Sequence, residues 1–255
     1  MLLSDPLFYA AAVPAVLLFG ISKGGFGGGL GVLAVPIVSL IVTPVQAAAI
    51  ILPLLCCMDL IGLWAYRGKW DWSNLKILIP ASILGILMGT LLFRYMSPGI
   101  IKLLLGIISI CFTLDYWFRT SNSSETGTKE PNYIAGSIAA AVGGFTSFIA
   151  HSGGPPISMY LLPQRLHRTR FVGTTVLLFS VINYVKLIPY SWLGLLHVSN
   201  LLTSVVLLPA AVAGFLAGIW LHKNVSEQLF YRVCYVFLFI VGIKLILDGA
   251  GIDFI

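Results

Sequence analysis

Charge is what this sequence has least of. Asp, Glu, Lys and Arg together make up 9% of the 255 residues, whereas an ordinary soluble domain carries about a quarter. Too little polar surface remains to coat a water-soluble globule. Alternation of apolar and polar residues is also missing from the long apolar runs, which argues against a membrane β-barrel. Cysteine is scarce: Cys56, Cys57, Cys111 and Cys234 all lie inside apolar stretches. With no C-x-x-C spacing and no adjacent histidine, neither a disulfide framework nor a metal site follows. No G-x-x-x-x-G-K-[ST] string occurs, so the chain does not itself hydrolyse ATP. H-E-x-x-H is absent, and His151 and Ser152, being adjacent, are badly placed to act as base and nucleophile. Gly29, Gly31 and Ala34 formally match a dinucleotide-binding spacing, but no strand precedes them and no acidic residue follows about 20 positions on. The chain therefore reads as a non-enzyme with no cofactor and no metal.

What is present is apolar. Hydrophobic residues make up 58% of the chain, and its mean hydropathy is +0.99. Repeated apolar runs of roughly 20 residues are long enough to span a hydrocarbon core of about 30 Å. Since no water reaches that depth, each backbone group must pair internally, which favours helices. The runs fall at about 6–22, 28–42, 45–66, 74–93 and 100–118, and again at 133–150, 154–164, 171–190, 199–221 and 229–248. Between the two sets lies TSNSSETGTKEPN, residues 120–132, a hydrophilic linker. The net charge of +6 comes from fifteen Lys and Arg residues spread over loops and segment ends. They form no basic stripe, so no nucleic-acid partner is expected and the bilayer is. The N-terminal MLLSDPLFYA lacks the positive region of a cleaved signal, so its hydrophobic segment is expected to stay in the mature protein.

The two sets resemble each other. Pro80, Gly85 and Gly89 recur as Pro209, Gly214 and Gly218, a displacement of 209 − 80 = 129. Gly25-Phe26 and Pro36 match Gly144-Phe145 and Pro155 at 119, which aligns Lys23 with Val142 and His151 with Val32; Asp59 and Tyr66 match Asn183 and Tyr190 at 124. Loop charge orients the copies. Arg165, Arg168 and Arg170 load a second-half loop whose first-half counterpart has none, and Arg67, Lys69 and Lys76 load a first-half loop whose counterpart SWLGLLHVSN has no fixed positive charge. Positive loops belong in the cytoplasm, so the copies read as inverted, with both termini outside; Arg94 and Lys102 on the outer side run against this. The expected fold is an all-α integral membrane protein of two inverted repeats, 1–119 and 133–255, joined by 120–132. Each repeat has about five hydrophobic segments, the first two being short half-helices around a Gly-rich break.

Glycine interrupts helices and permits unusual backbone angles. GISKGGFGGGLG, residues 20–31, is thus read as one break and VGGFTSFIAHSGGPP, residues 142–156, as its equivalent. A broken helix inside a membrane is tolerated where it is buried in protein or lines a cavity, and its amide-rich ends attract anions. Pro155 and Pro156 suit the first turn of a half-helix beginning after residues 152–154. The candidate substrate-binding residues are Lys23, Gly24, Gly25, Gly27, Gly28, Thr146, His151, Ser152, Gly153, Gly154 and Asn183. Candidates for gating or coupling are Asp59, Arg170 and Lys186, with Asn183 and Lys186 three apart on one helical face. Each has a plainer reading: Lys23 as a lysine snorkelling to a membrane face, His151 as a packing histidine, Asp59, Asn183 and Lys186 as a structural network. For Gly85/Gly89 and Gly214/Gly218, close helix packing is the favoured reading, and such glycine ridges favour a homodimer. Lys244 and Asp248 read as a local ion pair, and Trp70, Trp72 and Trp192 as interfacial anchors.

SKGGFGGGLGVLAVPIVSL, GGFTSFIAHSGGPPISMYLLP and RTRFVGTTVLLFSVIN together resemble the TauE/SafE family, the sulfite exporter or toluene-sulfonate uptake permeases, over essentially the whole chain. The resemblance implies a secondary transporter in the bacterial cell inner membrane for small sulfur-containing anions, either an organosulfonate such as sulfoacetate, or sulfite. The substrate region it implies is Lys23 to Gly29 and His151 to Pro155, with Arg170 and Asn183 in the RTRFVG and VIN strings. An anion channel, a carrier of a small carboxylate and a non-transporting scaffold remain as alternatives. The coupling ion, H+ or Na+, is left open.

Overall fold

A computed structural model describes residues 5–26, 34–93, 95–121, 130–224 and 227–252. Among these residues ten α-helices follow one another: α1 Pro6–Gly25, α2 Ala34–Val38, α3 Pro44–Ala65, α4 Trp72–Phe93, α5 Pro98–Ser121, α6 Tyr133–Ala150, α7 Gly154–Leu161, α8 Arg168–Trp192, α9 Val198–Asn224 and α10 Glu227–Gly249. Among the described residues, seven helices are long and apolar enough to cross a membrane: α1, α3, α4, α5, α6, α8 and α9. Their starts are set by local chemistry. Asp5, Thr43 and Asn132 each accept a backbone N–H from the first turn of α1, α3 and α6, which satisfies donors that have no partner within the helix. Proline lies inside α1, α3, α4, α8 and α9, as membrane helices tolerate where neighbours satisfy the freed carbonyls.

Outward faces of the bundle are apolar. On α4, Leu84, Leu87, Met88 and Leu91 are all more than half exposed and, at spacings of three and four, form one stripe. Such a stripe in water would be an aggregation surface; against lipid it is the expected contact.

The helices pair across the halves. α1 packs along α9, α6 along α4, α5 along α10, and α3 along α8. The first two pairings depend on glycine. A Cβ at Gly85 would lie 2.0 Å from the Ala141 carbonyl oxygen, and one at Gly144 would lie 2.0 Å from that of Ser82. In the other pair, Gly214 faces the Leu17 carbonyl and Gly20 that of Ala211, with 2.5 and 2.8 Å left for a Cβ. The ridges read from the sequence as packing surfaces are thus used for packing within one chain. The contacts also change the match between the halves. Leu17 corresponds to Ala141 and Gly20 to Gly144, a displacement of 141 − 17 = 124 rather than the 119 of the Gly-Phe strings, while Gly85 and Gly214 keep 214 − 85 = 129.

Two further expectations are revised. The first member of each helix–break–helix unit is not short: α1 has 20 residues and α6 has 18, and the short pieces are α2, of five residues, and α7, of eight. The breaks are also narrower. Lys23, Gly24 and Gly25 form the last turn of α1, and Gly143, Gly144, Thr146 and Ser147 lie inside α6, which continues to Ala150. Close packing against α9 and α4 offsets the weak helix propensity of these glycines. Residues 27–33, which include Gly27 and Gly28, lie outside the described residues, as does 122–129 of the expected linker.

Candidate functional site

The break after α6 is built from His151, Ser152 and Gly153. His151 takes a left-handed backbone, φ 53°, at the end of α6, a position usually given to glycine. The turn closes on itself, with the His151 N–H donating to Ser147 O at 3.0 Å and the Ser152 N–H to Thr146 O at 3.3 Å. Thr146 Oγ1 donates to Ser152 O at 3.1 Å. Pro155 then falls in the first turn of α7, where its missing N–H costs nothing.

Facing this break, the apolar interior holds a run of polar side chains. Lys23 Nζ forms an ion pair with Asp59 Oδ1 at 2.7 Å, with side-chain exposures of 5% and 0%. Lys23 is therefore buried and paired, not snorkelling. The other carboxylate oxygen, Oδ2, accepts from Asn183 Nδ2 at 2.8 Å. One turn further along α8, Lys186 Nζ donates to Ser147 O and Oγ, both at 3.0 Å, and approaches His151 Nδ1 at 2.8 Å. A charged ammonium has donors only, so Nδ1 is the acceptor. Nε2 then carries the ring proton and donates to Ala48 O at 2.9 Å. This hydrogen-bond pattern makes His151 a neutral imidazole. Its ring stacks on Tyr190 with centroids 6.2 Å apart, and the Tyr190 hydroxyl donates to Phe148 O at 2.7 Å.

Beside Lys23 lies a small cavity lined by Phe19, Lys23, Leu55, Ser147, His151, Gly154, Phe179 and Asn183. Of the residues singled out in the sequence, Lys23, His151, Gly154 and Asn183 line it, and Asp59 and Lys186 stand directly behind. Others lie elsewhere. Gly24 and Gly25 pack against α9, with only 2.2 Å left for a Cβ before the carbonyls of Phe215 and Gly218, and the Gly24 carbonyl accepts from Tyr66 Oη at 2.7 Å. Gly153 backs onto the Gly143 carbonyl at 2.6 Å from an added Cβ. Ser152 is buried and donates to Ala150 O at 3.1 Å. Ser147 was missed as a wall residue and as a Lys186 partner, although the GGFTSF string carries it. Phe19, Leu55 and Phe179 gave no signal, being apolar residues in apolar helices.

Arg170 lies apart from the cavity, at one end of the bundle. Its guanidinium meets Asp71 Oδ2 at 3.4 Å, while Asp71 Oδ1 accepts from the Asn74 N–H at 3.0 Å at the start of α4. The Asp71 N–H donates to Thr174 Oγ1 at 2.8 Å. Beside it, the amides of Asn74 and Gln164 exchange hydrogen bonds of 2.8 and 3.1 Å. The α3–α4 loop of one half is thereby bound to the α7–α8 loop of the other. Lys244 and Asp248 pair at 2.8 Å, as their spacing suggested, and Lys102 joins them at 3.5 Å.

A multi-pass helical bundle that keeps two lysines, a carboxylate and a cavity with polar side chains in its wall inside its apolar interior has the makings of a membrane transport protein. The particular family is identified by sequence: the model of the sulfite exporter TauE/SafE family matches residues 12–245, and the chain belongs to that family. It is thus a membrane protein of sulfite-exporter type. No curated protein and no solved structure matches the chain.

Proposed function

We propose that the protein is a secondary carrier of a small sulfur-containing anion, an organosulfonate or sulfite, in the bacterial cell inner membrane. The observation that carries this reading is the buried cluster in which Lys23 lines a cavity and Lys186 holds two of its wall residues, Ser147 and His151. Cations held in an apolar interior are costly unless they serve an anion or an ion pathway. A sulfur oxyanion can accept from several donors at once, and Asn183, Ser147 and the start of α7 stand within the same wall.

Alternating access between two inverted repeats is supported by the reciprocal helix pairing, in which the first helix of each half packs on the fourth of the other. In this register Lys23 corresponds to Ser147 and Asp59 to Asn183, both at a displacement of 124. The loops bearing Arg67 and Lys69, and Arg165 and Arg170, meet at one end, which we assign to the cytoplasm by their positive charge.

The deciding experiment is flux into vesicles reconstituted with the purified protein. Saturable, counterflow-competent movement of sulfite or an organosulfonate is the expected result. Flux that never saturates would make the protein a channel, and flux of carboxylates alone would overturn the sulfur-anion assignment.

A further inference from the structure

We propose that the cavity is matched to one net negative charge, and that Asp59 is the residue that sets this limit. The inference rests on the carrier reading above and narrows its substrate class to monoanions. It comes from counting the charges in the cavity wall and those bonded directly to it. α1 contributes Lys23, α3 contributes Asp59, and α8 contributes Lys186 and the neutral Asn183. From α6 and its C-terminal turn come Ser147 and His151, and the hydrogen bonds of the imidazole make it neutral. Tyr190 and Cys56 stand behind these, the first donating to the Phe148 carbonyl and the second one turn from Asp59 on α3.

Lys23 and Asp59 cancel at 2.7 Å. Lys186 has no such counterpart: its three donors go to a carbonyl, a hydroxyl and a ring nitrogen, all uncharged. Those contacts satisfy its hydrogen bonds and leave its charge uncompensated by any carboxylate in ion-pair contact among the described residues. With Lys186 protonated, the cluster carries one surplus positive charge beside walls made of Phe19, Leu55 and Phe179. A monoanion in the cavity brings the sum to zero. A dianion replaces one uncompensated charge by another of opposite sign and gains nothing from having been desolvated. Asp59 holds the count at one, because without its carboxylate Lys23 would add a second positive charge.

Methanesulfonate and sulfate separate charge from shape, being tetrahedral anions of similar size that differ in one negative charge. We would titrate each into the purified full-length protein in detergent, by calorimetry, at one pH and one ionic strength. The wild type should bind methanesulfonate at least about tenfold more tightly than sulfate. Asp59→Asn keeps the side-chain size and a hydrogen-bond acceptor for Asn183, and should move that ratio at least about tenfold toward sulfate. Equal or tighter sulfate binding by the wild type, or an unchanged ratio in a folded Asp59→Asn protein, overturns the proposal. Lys186→Met leaves the Lys23–Asp59 pair in place and carries the test if Asp59→Asn does not fold. It should lose methanesulfonate binding with no gain for sulfate, and undiminished methanesulfonate binding overturns the proposal. Failure of the wild type to bind these two, sulfite, taurine or any carboxylate sinks the carrier reading itself, whereas binding with the wrong charge preference sinks the charge rule alone.

Discussion

Asn183 donates its side-chain amide to Asp59 Oδ2 at 2.8 Å, although the two residues belong to different halves of the chain and occupy matching positions in them. The bond joins α3 to α8, one of the helix pairs formed between the halves. At this contact one half contributes a carboxylate, the other an amide that can share it without adding charge.

The Asp59 carboxylate is consequently held from two sides, by Lys23 and by Asn183. Removing one member of a buried ion pair leaves the other charge unpaired, at a cost of about 3–5 kcal/mol. Asp59→Leu should therefore lower the thermal midpoint in detergent sharply, and adding Lys23→Met should recover most of the loss. Substrate binding should not return with the stability. A harmless Asp59→Leu would show that the pair does not carry stability at this position.

Helix contacts lead to a second expectation. At Gly85 an added methyl would sit 2.0 Å from the Ala141 carbonyl oxygen, and backbone cannot yield as a flexible side chain would. Gly85→Ala should push α4 from α6 and destabilise the protein by about 1–3 kcal/mol. Gly99 near the start of α5, where the same methyl would meet its nearest atom at 3.4 Å, is the control, and Gly99→Ala should be near neutral. Thermal unfolding of the two variants checks the difference, and equal midpoints would mean that α4 and α6 are not in tight contact.

Much of this was legible in the sequence, for physical reasons that differ from residue to residue. Run length and the lack of charge specify membrane helices almost unaided, because the bilayer allows so few alternatives. Lys23, Asp59, Asn183 and Lys186 stood out because polar side chains are expensive in such helices. Which of them touch was not legible: that depends on helix rotation and on contacts between segments far apart in the chain. Lys23 meets Asp59 because Gly24, Gly25 and their neighbours let α1 settle against α9, and glycine strings read equally well as helix breakers. The end of α1 was placed at 22 instead of Gly25, and the break of the second half was begun at 142 although α6 runs to Ala150, since propensity alone does not register the packing that keeps those glycines helical.

The amide pair of Asn74 and Gln164, next to the Asp71–Arg170 ion pair, binds the α3–α4 and α7–α8 loops at one end of the bundle. Under alternating access these loops must separate for the cavity to open on that side. Two buried hydrogen bonds of this kind are worth about 1–3 kcal/mol together, enough to shift a closed state measurably. Asn74→Ala combined with Gln164→Ala should speed labelling of a Ser147→Cys probe by an aqueous thiol reagent applied from the side of these loops, in a background whose native cysteines are replaced by alanine. Unchanged labelling would mean that the loops are not the barrier on that side.

His151 supports the cavity in two separable ways, through its ring and through its backbone. The ring accepts from Lys186 and donates to Ala48 O, while the backbone, at φ 53°, turns the chain from α6 into α7. Left-handed conformation is tolerated by asparagine and glycine and is worst for β-branched residues, with a penalty of roughly 1–2 kcal/mol for an ordinary L-residue. Three substitutions divide the roles. His151→Gly relieves the backbone but removes both ring hydrogen bonds, His151→Asn keeps the backbone and a polar group too short to bridge Lys186 to Ala48, and His151→Val loses on both counts. Thermal midpoints should fall least for asparagine or glycine and most for valine, whereas anion binding should weaken in all three because Lys186 loses one of its acceptors. If valine were tolerated as well as glycine, the turn would not be the element that fixes the start of α7, and the wall that it builds around the cavity would have to be held by the ring alone.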